Sequence, residues 1–243
     1  VPFVSKALGI TLAKAAARVM VGESIAALIA DGALPARDGT YIPAGSAISV
    51  KEAVLPFKRF ATKDGRFVDS LLGPEMRSTG EVMGISNSFG ESYAKSQISA
   101  FGALPKNGTV FVSLADKDKK QGIQAAHDLS RIGFSILATG GTADALAAKQ
   151  IPCIRVRKHS EGTGPLGEKT IVELINSGEI DLIINTPVGR GTRQDGWLIR
   201  SAAISRGVPC ITTIPGFRAA VSGITALQSA DFEIKSLQEW MRK

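Results

Sequence analysis

An α/β architecture is expected for most of this chain, with a parallel sheet covered by helices on both faces. Two observations lead there. From Thr109 onward, short apolar runs alternate with runs of helical length, the pattern of strand and crossover helix in a parallel sheet. Within that alternation, Thr139-Gly140-Gly141-Thr142 falls where a strand passes into a helix, and Ile151-Pro152-Cys153-Ile154 and Val208-Pro209-Cys210-Ile211 read as paired strand starts.

Taken in order, Thr11 caps a helix from Leu12 to about Val21 that Gly22 stops, and Ser24 to Asp31 gives another short helix. Residues 32–47 are rich in Gly, Pro and Ala and read as a surface loop. Ile48 to Phe57 is β-branched and interrupted by Pro56, a strand leading into a loop over 58–69; Ser88 to Phe101 then reads as helix. The turn cluster Leu104-Pro105-Lys106-Asn107-Gly108 divides the chain into 1–104 and 105–243, because the regular alternation starts directly after it. There, strands are expected at 109–114, 135–138, 153–156, 182–185 and 210–212. Helices are expected at 119–132, 142–149, 168–177, 197–206 and from about Phe217.

The composition, 44% hydrophobic and 21% charged, describes a folding globular chain rather than a disordered one. A net charge of +7 suits anions, yet the basic residues are scattered and the few Trp and Tyr residues do not interleave with them. Small phosphates are therefore expected rather than nucleic acid. Two cysteines in apolar surroundings, without CxxC spacing, imply reduced thiols and a cytoplasmic setting. With only His127 and His159, no histidine metal site is expected, and no apolar run is long enough for a membrane span.

The chemistry concentrates at strand ends. Backbone N–H groups at the helix start, the bare Gly140 and Gly141, and the hydroxyls of Thr139 and Thr142 suit an anion, although the same residues also make an ordinary capped turn. Asp116-Lys117-Asp118-Lys119 follows the first strand of the alternation and Asn185-Thr186 a later one, which puts all three segments on one edge of the sheet, where ligands of such folds bind.

Longer blocks carry a resemblance. Leu71-Leu72-Gly73-Pro74-Glu75-Met76-Arg77-Ser78-Thr79-Gly80-Glu81-Val82-Met83-Gly84 looks like the signature of the carbamoyl-phosphate synthetase large subunit. The opening Val1-Pro2-Phe3-Val4-Ser5-Lys6, the run Leu12 to Met20, and Val50 to Phe57 resemble that family in the same order. Leu137 to Thr142 and Ile183 to Pro187 look like the phosphate segments of its methylglyoxal-synthase-like regulatory domain. The resemblance implies an incomplete ATP-grasp-derived α+β segment over 1–104, followed by a Rossmann-like allosteric domain over 105–243. It also implies a fragment starting just after the family's Asn-Pro-Arg-Ala-Ser-Arg segment.

Carried over by position, the resemblance assigns effector phosphate and nucleotide binding to Lys119, Thr139, Gly141, Thr142, Lys158, Asn185 and Thr186, with Lys117 and Lys120 as neighbours of the first lysine. UMP or IMP is the implied effector. The family's Thr-Ser ahead of Gly189-Arg190 is replaced by Pro187-Val188, which leaves the choice of effector open. An ornithine-type effector is implied at Glu52 with Thr212 or Thr213, Glu52 being equally suited to a salt bridge. Glu75, Arg77 and Glu81 are expected in a buried ionic network.

For the parent, the resemblance implies ATP- and magnesium-dependent ligation of bicarbonate and glutamine-derived ammonia with a glutaminase small subunit, for arginine and pyrimidine synthesis. It further implies homo-oligomerisation through the allosteric domain. The nucleotide and metal ligands would precede Val1, so this segment is expected to contribute no catalytic residue. The alternative is a stand-alone lyase of the methylglyoxal synthase type. Gly164 to Lys169 would then be its catalytic segment, but it offers Glu168 or Lys169 where that enzyme has an aspartate base.

Overall fold

The computed structural model describes residues 1–36, 45–60, 70–71, 80–187, 194–229 and 232–241. Three short helices open the chain: α1 (Pro2–Leu8), α2 (Leu12–Met20) and α3 (Ile25–Ala30). The first escaped the sequence reading although Pro2 stands in its first turn and Gly9 ends it in the left-handed conformation, both ordinary helix punctuation. Thr11 occupies the cap position expected of it, and Ser24, read as the first residue of the next helix, is instead its cap, its hydroxyl accepting the Ala27 N–H at 3.1 Å.

Strand β1 (Ile48–Ala53) pairs antiparallel with β2 (Glu81–Ser86), Ile48 facing Ser86 and Ala53 facing Glu81. The second strand was not expected. It is packed so closely beneath α4 (Phe89–Ala100) that a Cβ on Gly84 would lie 1.8 Å from the Ser92 carbonyl oxygen, which is why glycine stands mid-strand. Glu81 is exposed and pairs diagonally across the strands with Lys51, in place of the buried network expected of it; Glu75 and Arg77 lie outside the described residues.

Next comes a five-stranded parallel sheet built from β3 (Gly108–Ser113), β4 (Phe134–Thr139), β5 (Ile154–Val156), β6 (Leu182–Asn185) and β7 (Cys210–Ile211), in the order β5-β4-β3-β6-β7. The chain steps outward from β3 to β5 through α5 (Lys119–Arg131) and α6 (Gly140–Ala147). After α7 (Ile171–Asn176) it returns to the other side of β3, and α8 (Gln194–Arg206) joins β6 to β7. Right-handed crossovers taken in opposite directions place the two helix sets on opposite faces.

The apolar side chains follow that division. Val110, Val112, Ile136, Ala138, Leu182 and Ile184 meet α5, α6 and α9 (Ile214–Ser229) in one cluster, whereas Phe111, Leu137 and Ile183 meet α7 and α8 in the other. This is the period of two of strands buried on both sides. Ala94 of α4 and Leu104 also enter the first cluster, and a Cβ on Gly90 would meet the Ser222 carbonyl oxygen of α9 at 2.5 Å. The final helix, α10 (Leu237–Met241), brings Trp240 to Lys95, whose ammonium lies 5.6 Å from its ring.

Observed boundaries differ from the expected ones by a few residues. The start of α7 moves from the expected 168 to Ile171 because Thr170 caps it in a reciprocal box with Glu173. Cys153 and Cys210 are free thiols, and Cys210 opens β7 while Cys153 immediately precedes β5. These are opposite edges of the sheet, so four inter-strand spacings, about 19 Å, separate them.

Candidate functional site

The strand order reverses at β3, and a cleft of about 700 Å³ opens at the carboxyl ends of β3, β4 and β6. All seven residues expected to bind an effector phosphate line it: Lys119, Thr139, Gly141, Thr142, Lys158, Asn185 and Thr186. They come from separate stretches of chain brought together by strand register, since Ser113 lies directly beside Asn185 and Thr139 beside Val156. A crevice at the switch point of such a sheet is the ordinary ligand position.

Two threonines have structural work that the sequence did not disclose. Thr142 Oγ1 accepts the Leu114 N–H at 3.0 Å and Thr186 Oγ1 accepts the Ala115 N–H at 2.8 Å, pinning the chain leaving β3 from both sides. All four residues are buried, so these bonds satisfy amides with little access to water. A hydroxyl that has accepted still holds its own proton, which leaves Thr142 and Thr186 able to donate to an anion.

Charge is supplied from above. Lys119 Nζ lies 2.7 Å from Asp116 Oδ1, and a Cβ on Gly141 would come within 3.1 Å of it, so the missing side chain at 141 lets the ammonium approach the first turn of α6. The hydrogen bond from Lys119 holds the Asp116 carboxyl below its usual range. Asp116 itself is 95% exposed, a solvated partner that a more highly charged anion readily outcompetes. Lys158 is exposed on the far wall, just before a turn at 159–161. That turn is held by Arg157 Nε donating to the Gly162 carbonyl and by Ser160 Oγ donating to Asp195 Oδ2 at 2.8 Å.

The sequence reading missed Arg200, Asp195, Ser160 and His159, which also line the cleft. Arg200 is only 4% exposed, and its Nη1 donates to Asn185 Oδ1 at 3.3 Å. No linear motif marks it, because its meaning comes from the packing of α8 on β6. Of the residues considered for lyase chemistry, Glu168 accepts the Leu166 N–H within its own loop and Lys169 reaches Glu179; both are exposed and neither lines the cleft.

A second cleft, of about 740 Å³, lies between α4 and the β7 edge and contains both Glu52 and Thr212. Glu52 accepts from Gln97 Nε2 at 2.8 Å, and burial pushes its carboxyl above the usual range. Burial, with a contribution from the Glu52 charge, pushes the Tyr93 hydroxyl up to about 12. Thr213 Oγ1 accepts the Gly216 N–H at the start of α9, whereas Thr212 makes no such cap. Among the described residues, no cluster of three or more His, Cys, Asp or Glu side chains is arranged to hold a metal ion, and no helix is long and apolar enough to cross a membrane.

Residues 121–212 match the MGS-like domain family, with which the five-stranded parallel sheet is consistent. The wider relationship is to the carboxyl-terminal part of the large chain of carbamoyl phosphate synthase. The chain is 55% identical over 240 residues to the carbamoyl phosphate synthase large chain of Streptomyces coelicolor, a match covering 98% of this chain and 22% of the relative. The large chains of Streptomyces avermitilis and Clavibacter sepedonicus are also 55% identical, over 98% and 99% of this chain. The chain thus spans about a fifth of the length of the relatives it matches.

Proposed function

We propose that residues 105–243 form an allosteric domain that binds a nucleoside monophosphate, UMP or IMP, by its phosphate in the switch-point cleft. The convergence there of seven residues from four stretches of chain, two of them lysines, is the observation that supports this reading. The α6 amides and threonine hydroxyls supply directional donors, Asn185 an amide, and Lys119 and Lys158 charge; charge-assisted bonds of this kind contribute about 1.5–3 kcal/mol each. An effector bound here regulates only through its unequal affinity for two states of the larger protein.

In that larger protein the regulated reaction is the ATP-dependent ligation of bicarbonate and glutamine-derived ammonia into carbamoyl phosphate, in the cytoplasm, for arginine and pyrimidine synthesis. A glutaminase small subunit supplies the ammonia, and copies associate through the allosteric domain. ATP and magnesium are held by parts of that larger protein other than this chain. Residues 1–104 are the end of the synthetase half that forms carbamoyl phosphate, and Glu52 with Thr212 receives an ornithine-type amine effector in the second cleft.

Calorimetric titration of the chain with UMP, IMP and uridine tests the reading. A monophosphate binds and uridine binds far more weakly, while Lys158→Ala reduces the affinity about ten-fold or more. Equal affinity for uridine and UMP means that the cleft is not a phosphate site.

A further inference from the structure

Arg200 sits inside α8, yet it is one of the most buried charged residues described and reaches the floor of the cleft. Its path is prepared by Gly196, one helical turn earlier. A Cβ there would stand 3.1 Å from Arg200 Nη1 and 3.8 Å from Asn185 Oδ1, so the guanidinium passes along a face kept open by that glycine. Helical side chains lean toward the N-terminus, the direction in which Gly196 and Asn185 lie.

Arginine has five N–H donors and no acceptor. Its contact with Asn185 at 3.3 Å therefore selects one of the two amide orientations, with Oδ1 toward Arg200 and the Nδ2 hydrogens turned away from it. Asn185 is 6% exposed at the end of β6 and borders the cleft, where an amide free to flip would present either a donor or an acceptor.

We propose that Arg200 is a positioning residue for effector recognition: it locks the Asn185 amide so that Asn185 is a dedicated hydrogen-bond donor to an oxygen of the bound monophosphate. This rests on the nucleotide reading of the cleft and adds to it a determinant outside the threonine and lysine set. Arg200 acts through Asn185 rather than on the ligand, so the two residues must be energetically coupled.

A double-mutant cycle in UMP binding, read by calorimetry on the whole chain, tests the coupling. Asn185→Ala and Arg200→Gln each weaken UMP about ten-fold, and the double variant binds no more weakly than Asn185→Ala alone. Asn185→Asp, which replaces the donor with a carboxylate oxygen, binds UMP more weakly than Asn185→Ala, a result that general loosening of the fold does not produce. Losses that multiply to about a hundred-fold in the double variant overturn the positioning role, as does wild-type affinity in Asn185→Asp. Where circular dichroism shows that Arg200→Gln does not fold, Arg200→Met, which has no hydrogen-bond donor to hold the Asn185 amide, takes its place in the cycle, judged by the same criteria. Absence of UMP binding by the unaltered chain overturns the nucleotide reading and this inference together, whereas binding with independent losses overturns this inference alone.

Discussion

Replacing Thr142 by valine tests the structural job that the cleft geometry gives it. The side chains are nearly the same size and Thr142 is 3% exposed, so the change leaves no cavity to speak of; it removes the oxygen that accepts the Leu114 N–H at 3.0 Å. Leu114 is 7% exposed, and its amide has little water to turn to. An amide left unsatisfied in such surroundings costs about 1–3 kcal/mol, about a 5- to 150-fold shift in the folding equilibrium. For a chain of this size each 1 kcal/mol moves the midpoint by about 2–4 °C, so a loss of about 2–12 °C is expected in calorimetric melting. Thr142→Ser keeps the acceptor and, losing only a methyl group, falls by less than the valine variant. On the proposed nucleotide reading, UMP affinity drops in the valine variant as well, because the hydroxyl proposed to donate to the phosphate is the same one. Melting of Thr142→Val within about 1 °C of the parent, or a serine variant as damaged as the valine one, refutes the assignment of Thr142 as a buried acceptor.

Glu52 gives a pH-dependent expectation. Burial raises its carboxyl in the folded chain above the usual value of 4.5, so the folded state holds the proton more tightly, and wild-type stability on this account falls as pH rises from about 4.5 through the folded value. Glu52→Gln removes the ionisation and can still accept from Gln97, so its stability relative to wild type should grow between pH 4 and pH 7 in urea melts; a relative loss over that interval contradicts the burial argument. The proposed boundary is tested by expressing residues 105–243, which should unfold cooperatively. Extending that segment back to residue 81 should raise its melting temperature, because α4 buries Ala94 against the core and Gly90 against α9. No difference between the two lengths would mean that α4 adds nothing to the domain.

Local chemistry makes much of this protein legible along the chain. Alternating apolar runs fix the parallel sheet, since a strand buried on both faces has few alternatives to Val, Ile and Leu, and Leu182–Asn185 lies where its run predicts. Thr139 to Thr142 announces a helix start suited to an anion because the required groups are adjacent in sequence. Strand β2 was less visible: its middle holds a glycine whose reason, the Ser92 carbonyl of α4, is eight residues away. Arg200 was not visible at all. Its burial, its bond to Asn185 and the gap left by Gly196 come from packing a helix against a strand, and no spacing within α8 encodes that meeting. Thr142 and Thr186 show the same limit, for their types suggested a ligand site while their bonds to Leu114 and Ala115 exist only once three strand ends stand side by side. Residue type and neighbours along the chain thus set the elements and the kind of chemistry; strand register and crossover handedness, which act between distant residues, decided which groups share a cleft.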